Sequence, residues 1–259
     1  MSGILNIAVQ AAYNAGGLIQ QASRSLEHIR VDRKGHNDFV SEVDRRAEQT
    51  IIQTIQKAYP NHNILGEESG LIDNNSEFTW IIDPLDGTTN FLHGHPQYSI
   101  SIGVKHGDKI TYAAVFDPNR NDIYTAELGK GAKLNDSRIR VSKTANLADS
   151  LLATGFPTYD MSFLERYLNI FREMLKSTAG QRRAGSAALD LAYVASGKVD
   201  GFWEFNLKPW DIAAGYLLVK EAGGLVCDFD GEQKMLESGN IIAANPKLVT
   251  QILKTIQNN

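Results

Sequence analysis

Asp83 directly follows an apolar run, Trp-Ile-Ile, and Asp86 stands three residues later. The spacing of these two aspartates suggests a site for a divalent cation. Pro84 fixes one backbone dihedral angle and Gly87 allows an unusual one, so we expect a stiff turn between them. In such a turn the carboxylates of Asp83 and Asp86 can face the same side, with the Leu85 carbonyl between them. Several oxygen ligands at close range suit a hard cation, Mg²⁺ or Mn²⁺ in preference to zinc.

Two more acids stand where a predicted element begins or ends. Glu67 follows a short apolar strand, and Asp211 lies in the first turn of a predicted helix. Each has an ordinary structural explanation, because Glu67 suits a solvated turn and Asp211 suits the positive end of a helix dipole. Taken with Asp83 and Asp86, however, they favour a shared metal site.

The residues that follow the two aspartates suggest a phosphate site. The segment Gly-Thr-Thr-Asn at 87–90 would expose backbone N–H groups at what can be the start of a helix. Thr88 can also orient a water molecule if a carboxylate accepts its hydroxyl proton. Cations beside a phosphate site indicate phosphoryl chemistry.

The first half of the chain predicts two helices followed by antiparallel strands. Apolar residues at helical spacing occur at 4–12, with a weakening near Gly16-Gly17, and at 43–58. Ser41 is a good N-cap for the second helix, with Asp44 as its capping partner. The polar segment 33–38 reads as a loop. After the Trp-Ile-Ile strand, β-like runs separated by turns indicate an antiparallel meander: 99–104, 110–116 and 123–126.

The second half alternates strands and helices. Predicted strands lie at 151–154, 202–204, 225–227 and 241–244, and predicted helices at 163–175, 186–195, 210–222 and near the C-terminus. We therefore predict an α+β protein of two subdomains. Residues 1–145 would form a metal-binding α+β subdomain with an antiparallel sheet, and residues 146–259 an α/β subdomain that completes the active site.

Composition excludes several classes of protein. The 259 residues carry a net charge of −4, which argues against a general nucleic-acid or membrane-surface binder. Cys227 is the only cysteine, so no intrachain disulfide and no multi-cysteine zinc site can form. There is no signal-peptide pattern, no long apolar run, no P-loop and no Gly-x-Ser-x-Gly motif. These features predict a soluble cytoplasmic protein.

Four segments, in order along the chain, resemble the inositol monophosphatase family. Ile-Asp-Pro-Leu-Asp-Gly-Thr-Thr-Asn-Phe at 82–91 resembles its first signature, and Trp-Asp-Ile-Ala-Ala-Gly at 210–215 its second. Gly-Glu-Glu-Ser at 66–69 and Val-Ser-Glu-Val-Asp at 40–44 match two further family segments. The segment 182–190, Arg-Arg-Ala-Gly-Ser-Ala-Ala-Leu-Asp, resembles the bacterial SuhB branch of the family.

The resemblance implies a fold and a set of metal ligands. The family fold is a layered αβαβα sandwich. Glu67, Asp83 and the Leu85 carbonyl would hold a first Mg²⁺, and Asp83, Asp86 and Asp211 a second, with Asp83 bridging. A third, weaker ion is expected near Glu67, and Mn²⁺ can take the place of Mg²⁺.

The resemblance also implies catalytic and substrate-binding residues. Asp44 and Thr88, beside Glu67, would orient or deprotonate the attacking water, although Asp44 as a helix-capping residue alone is the simpler alternative. The amides of Gly87 and Thr88 are expected to contact phosphate oxygens of the substrate. Contacts with the phosphorylated polyol are expected from Glu204, from the acids Asp86 and Asp211, and from the backbone of Gly185, Ser186 and Ala187.

By the same resemblance, the expected reaction is hydrolysis of inositol 1-phosphate by a homodimer. Relatives that share the metal motif act on fructose 1,6-bisphosphate, 3′-phosphoadenosine nucleotides or histidinol phosphate, and these substrates stay open. The SuhB branch is also associated with transcription antitermination through NusA and RNA polymerase. Arg182-Arg183 fits such a surface, a dimer contact or a solvated loop.

Overall fold

The computed structural model describes residues 2–35, 38–156 and 160–259, which fold as α+β in five alternating layers. The helices are α1 Gly3–Ala22, α2 Glu42–Ala58, α3 Thr88–Leu92, α4 Leu164–Ser177, α5 Ala187–Ala195, α6 Pro209–Glu221, α7 Met235–Ser238 and α8 Pro246–Gln257. The strands are β1 Val31–Gly35, β2 Asp38–Ser41, β3 Asn63–Gly66, β4 Gly70–Ile72, β5 Phe78–Asp86, β6 Ser99–His106, β7 Lys109–Asp117, β8 Asp122–Glu127, β9 Gly131–Leu134, β10 Ser137–Arg138, β11 Leu151–Thr154, β12 Gly180–Arg182, β13 Gly201–Glu204, β14 Leu225–Cys227 and β15 Ile241–Ala244.

Helices α1 and α2 form the first layer and pack on an eight-stranded sheet. Their buried apolar faces share one core cluster with the outer face of that sheet, the face that they cover. The predicted weakening of α1 at its glycine pair is wrong, because the helix continues to Ala22. A Cβ on Gly16 would lie 2.4 Å from the Phe116 ring, so this position allows the helix to approach the sheet closely.

The eight-stranded sheet has the order β10-β9-β8-β7-β6-β5-β3-β4. From β5 to β10 each strand pairs antiparallel with the next, which confirms the predicted meander, whereas β3 pairs parallel with β5. Here the structure corrects one prediction: β5 does not end before the aspartates but continues through Asp86, with a register shift between Asp83 and Asp86. Pro84 is tolerated because β3 pairs with β5 only as far as Ile82 and because, on the β6 edge, Pro84 lies within the register shift.

Helices α5 and α6 form the middle layer between the two sheets. They contribute to a second core cluster, built largely of alanine, leucine and valine, that both sheets share. The five-stranded sheet beyond them has the order β12-β11-β13-β15-β14, and α4 and α8 cover its outer face around a third cluster. The αβαβα sandwich implied by the family resemblance is confirmed.

A second correction concerns the segment predicted as a loop at 33–38. Residues 31–35 and 38–41 are the antiparallel strands β1 and β2, which form a separate two-stranded sheet; residues 36 and 37 lie outside the described residues. No helix in the described ranges combines the length and the hydropathy that a membrane span requires.

Candidate active site

A cavity of about 270 Å³ opens where β3 and β5 end, between the two large sheets. Its walls come from both halves of the chain, including β5, α3, the start of α5, the end of β13 and the first turn of α6. All but one of the predicted site residues line it: Glu67, Asp83, Leu85, Asp86, Gly87, Thr88, Gly185, Ser186, Ala187, Glu204 and Asp211. The exception is Asp44, which lies behind Thr88.

Three of the predicted metal ligands meet in one group. Asp83, Asp86 and Asp211 each offer a carboxylate oxygen, and these oxygens all lie within 4.8 Å of one another. Asp83 is 2% exposed and Asp86 is 9% exposed, so neither charge is well solvated. Glu67 lines the same cavity but lies outside this tight group.

The electrostatics of the group favour a bound cation. Burial raises the pKa of Asp83 well above its usual value, and the charges of Glu67, Asp86 and Asp211 raise it further. Burial and the charge of Asp86 raise the pKa of Asp211 to about 7. Full ionisation of these acids therefore costs free energy in the protein alone, and a bound cation reverses the sign of that cost. An oxygen-only donor set fits a hard divalent ion.

Backbone and side-chain donors hold each aspartate in place. The Leu85 N–H donates to Asp83 Oδ1 at 3.0 Å, and the Lys208 N–H donates to Asp211 Oδ2 at 2.7 Å. Asp86 Oδ2 accepts from the Ser186 hydroxyl at 2.5 Å and from the Ala188 N–H at 2.8 Å. The start of α5 therefore positions Asp86, and the side chain of Ser186 is engaged there.

Asp44 caps α2 and also contacts Thr88. At the N-terminus of α2, its Oδ2 accepts hydrogen bonds from the Ser41 N–H at 2.9 Å and from the Ser41 hydroxyl, which completes a capping box. Its Oδ1 lies 2.8 Å from the Thr88 hydroxyl, which is also 3.1 Å from the Leu85 carbonyl oxygen. Burial raises the pKa of Asp44, and the hydrogen bonds from Ser41 and Thr88 oppose this shift.

Glu48 is a positioning residue that the sequence analysis missed. It is 3% exposed on α2, and its carboxylate accepts the N–H groups of Glu68 at 2.9 Å and Ser69 at 2.8 Å. A Cβ on Gly66 would lie 2.5 Å from Glu48 Oε2, so this glycine admits the carboxylate beneath the turn that carries Glu67. The sequence did contain a signal for this residue, because Glu48 is an acid on the otherwise apolar face of α2, one turn after Asp44.

Gly87 and Asn90 join the two halves of the cavity. Gly87 has φ +96°, and a Cβ there would lie 2.9 Å from the Gln97 carbonyl oxygen and 3.0 Å from that of Gly185. Both the backbone angle and the close approach therefore require glycine. The side chain of Asn90, for which the sequence predicted no role, donates from Nδ2 to the carbonyls of Gln97 at 2.7 Å and Ala184 at 2.9 Å.

Comparison with known proteins identifies the family of this chain. The model of the inositol monophosphatase family matches residues 1–259. The chain is 52% identical to the Nus factor SuhB of Pseudomonas aeruginosa, over 99% of this chain and 97% of that one. The crystal structure of the extragenic suppressor protein suhB from Bartonella henselae superposes with a TM-score of 0.97 at 42% identity, covering both chains completely. The inositol monophosphatase of Anabaena superposes with a TM-score of 0.85 at 35% identity, over 98% and 95% of the two chains. The chain therefore belongs to the inositol monophosphatase family.

Proposed function

We propose that this protein is a Mg²⁺-dependent phosphomonoesterase that hydrolyses inositol 1-phosphate to inositol and phosphate. The observation that carries the proposal is the group of three aspartates, with oxygens within 4.8 Å, beside the hydrogen-bonded pair Asp44 and Thr88. An acidic group of this kind suits cations that offset the charge of a phosphate ester. Family membership supports the same class of reaction.

The oxygen ligands of the cavity would hold two to three ions, Mg²⁺ or Mn²⁺. The groups that we assign are the carboxylates of Glu67, Asp83, Asp86 and Asp211 and the carbonyl of Leu85. When bound, these cations lower the pKa of water and balance the charge that develops on the phosphate and on the departing oxygen. Glu67 additionally acts as a catalytic residue by helping to orient the attacking water.

The Asp44–Thr88 pair orients the attacking water molecule. Because the Thr88 hydroxyl donates to Asp44 Oδ1, its lone pairs face away from the carboxylate and can accept a hydrogen from the attacking water. This arrangement orients the water for in-line attack on phosphorus. It also allows the buried carboxylate of Asp44 to act, through Thr88, as the general base for the proton of that water. The N–H groups of Gly87 and Thr88 bind phosphate oxygens.

The alcohol part of the substrate would lie against the second half of the chain. Glu204, at the end of β13, faces the cavity, and a Cβ on Gly155 would lie 1.8 Å from Glu204 Oε1, so a glycine makes room for this carboxylate. The backbone of Gly185, Ser186 and Ala187 borders the same space. A carboxylate and backbone groups suit recognition of polyol hydroxyls.

Phosphate release from a substrate panel tests this proposal. We expect Mg²⁺-dependent release, abolished by a chelator, with kcat/KM for inositol 1-phosphate about tenfold or more above that for fructose 1,6-bisphosphate or a 3′-phosphoadenosine nucleotide, about 1.4 kcal/mol of transition-state stabilisation. Release from none of these esters at saturating Mg²⁺ would contradict a phosphatase function. A preference for one of the alternatives would replace the substrate and keep the reaction.

A second function is favoured by the relative that is named a Nus factor. We propose that this chain also binds NusA or RNA polymerase in a transcription-antitermination complex, which leaves its catalytic role intact. Immobilised protein, incubated with each purified candidate separately, should retain at least one of them, and Asp83→Asn should retain it equally because the aspartate group lies inside the cavity. Retention of neither partner would dismiss this role.

We further propose a homodimer, which light scattering would report as twice the chain mass.

A further inference from the structure

Asp190 is a buried acid in the cavity wall to which the proposed mechanism assigns no role. It lies on α5, one turn after Ser186, whose carbonyl accepts its N–H at 3.0 Å. The residue is 3% exposed and lines the cavity. Among the described residues, none donates a hydrogen bond to its carboxyl group. A buried carboxyl group without a donor costs folding free energy, so its position is explained best by a ligand that supplies one.

Asp190 and Glu204 both line the cavity. After burial, the charge of Asp190 is the largest cause of the raised pKa of Glu204. The cation that opposes this shift is Arg183, an exposed residue whose guanidinium carbon lies 4.8 Å from the Phe156 ring centroid. The cavity wall around Glu204 therefore carries two acids, the buried Asp190 and the half-buried Glu204, against one exposed cation.

We propose that Asp190 is a specificity-determining residue that, together with Glu204, hydrogen-bonds hydroxyl groups of the substrate's polyol. This inference rests on the proposed phosphatase function and names its substrate class: monophosphate esters of uncharged polyols. No described residue donates a hydrogen bond to the carboxyl group of Asp190 or of Glu204, and substrate hydroxyl groups would supply such donors. A second phosphate in the same place would instead be repelled by the ionised carboxylates. The acids thus select for hydroxyls and against a second anionic group.

Two variants separate the hydrogen bond from the charge. Asp190→Ser removes the carboxyl group, and Asp190→Asn keeps its shape and removes the charge. We expect Asp190→Ser to lower the ratio of kcat/KM for inositol 1-phosphate over phenyl phosphate, which has no hydroxyl, about tenfold and mainly through KM. Asp190→Asn should raise the ratio of kcat/KM for inositol 1,4-bisphosphate over inositol 1-phosphate. A loss of packing alone would not lower the ratio for inositol 1-phosphate over phenyl phosphate in Asp190→Ser and also raise the ratio for bisphosphate over monophosphate in Asp190→Asn.

Asp228→Asn is the matched control, because Asp228 is 4% exposed and lies outside the residues that line the cavity. It should leave both ratios unchanged. If the wild type hydrolyses none of the esters, the phosphatase proposal fails, and the role of Asp190, which rests on it, fails with it. If the wild type is active and both ratios stay constant in both Asp190 variants, the role of Asp190 is overturned. Should neither variant fold, the wild-type ratio for bisphosphate over monophosphate must rise with ionic strength; a constant ratio overturns the role equally.

Discussion

Asp83→Asn is expected to abolish phosphate release, with a fall in kcat/KM of about 10³-fold or more, which is about 4 kcal/mol of transition-state stabilisation. Asp83 is the most buried member of the aspartate group, and its pKa responds to Glu67, Asp86 and Asp211, so it lies at the electrostatic centre of the site. Asparagine keeps the acceptor for the Leu85 N–H but removes the charge. Steady-state phosphate release at saturating Mg²⁺ measures the effect.

The same substitution should change how the protein responds to Mg²⁺. In the wild type, Mg²⁺ at 100 times its Kd stabilises the fold by about 2.7 kcal/mol, or about 5–10 °C in melting temperature. Asp83→Asn should lose most of this rise. Without Mg²⁺ the variant should melt at or above the wild-type temperature, because one of several mutually repelling buried charges is gone.

Asp228→Asn provides the control for Asp83→Asn. Asp228 is similarly buried, and its Oδ1 accepts the N–H of Asp230 at 3.0 Å, the same i to i+2 contact that Asp83 makes with Leu85. We expect this control to keep both turnover and the Mg²⁺-dependent rise in melting temperature. A wild-type melting temperature that ignores saturating Mg²⁺, or near-normal turnover by Asp83→Asn, would remove Asp83 from the metal site.

The second large effect is expected from Asp44→Asn, which should lower kcat by roughly 10²–10⁴-fold with little change in KM. The Ser41 N–H must keep an acceptor, so the asparagine oxygen replaces Oδ2 and its NH₂ group faces Thr88. The Thr88 hydroxyl then has to accept a hydrogen bond, and its lone pairs no longer face the attacking water. Steady-state kinetics separate kcat from KM.

Two companion variants make the Asp44 result specific. Thr88→Ala should reproduce the loss in kcat, whereas Thr88→Ser should keep most of the activity because it keeps the hydroxyl group. Glu42→Gln removes a charge from the same first turn of α2 without touching Thr88, and should behave as wild type. The Mg²⁺-dependent rise in melting temperature should persist in Asp44→Asn. Near-normal kcat in both Asp44→Asn and Thr88→Ala would leave Asp44 as a capping residue only.

Local patterns predicted most of the elements, because periodicity and capping act over a few residues. The capping box at Ser41, the apolar spacing of α2 and the alternating runs of the meander needed no distant partner. The errors occurred where tertiary contacts override local preference. Segment 33–38 is polar, but its described part forms strands. Helix α1 continues past Gly16 because it packs closely on the sheet, where the Phe116 ring leaves no space for a side chain and a glycine is needed.

The sequence by itself determined the types of chemical group in the site: acids at 67, 83, 86 and 211, a glycine that permits a positive φ at 87, and a hydroxyl at 88. Only the tertiary structure decided which of these groups meet. It brings Asp211 to Asp83 and Asp86 across more than 120 positions of chain, places Thr88 on Asp44, and puts Glu48, Asn90 and Asp190 into the site or beneath it. The physical reason is that charge repulsion, burial and hydrogen-bond partners depend on distance in space, which spacing along the chain does not specify beyond a turn or two.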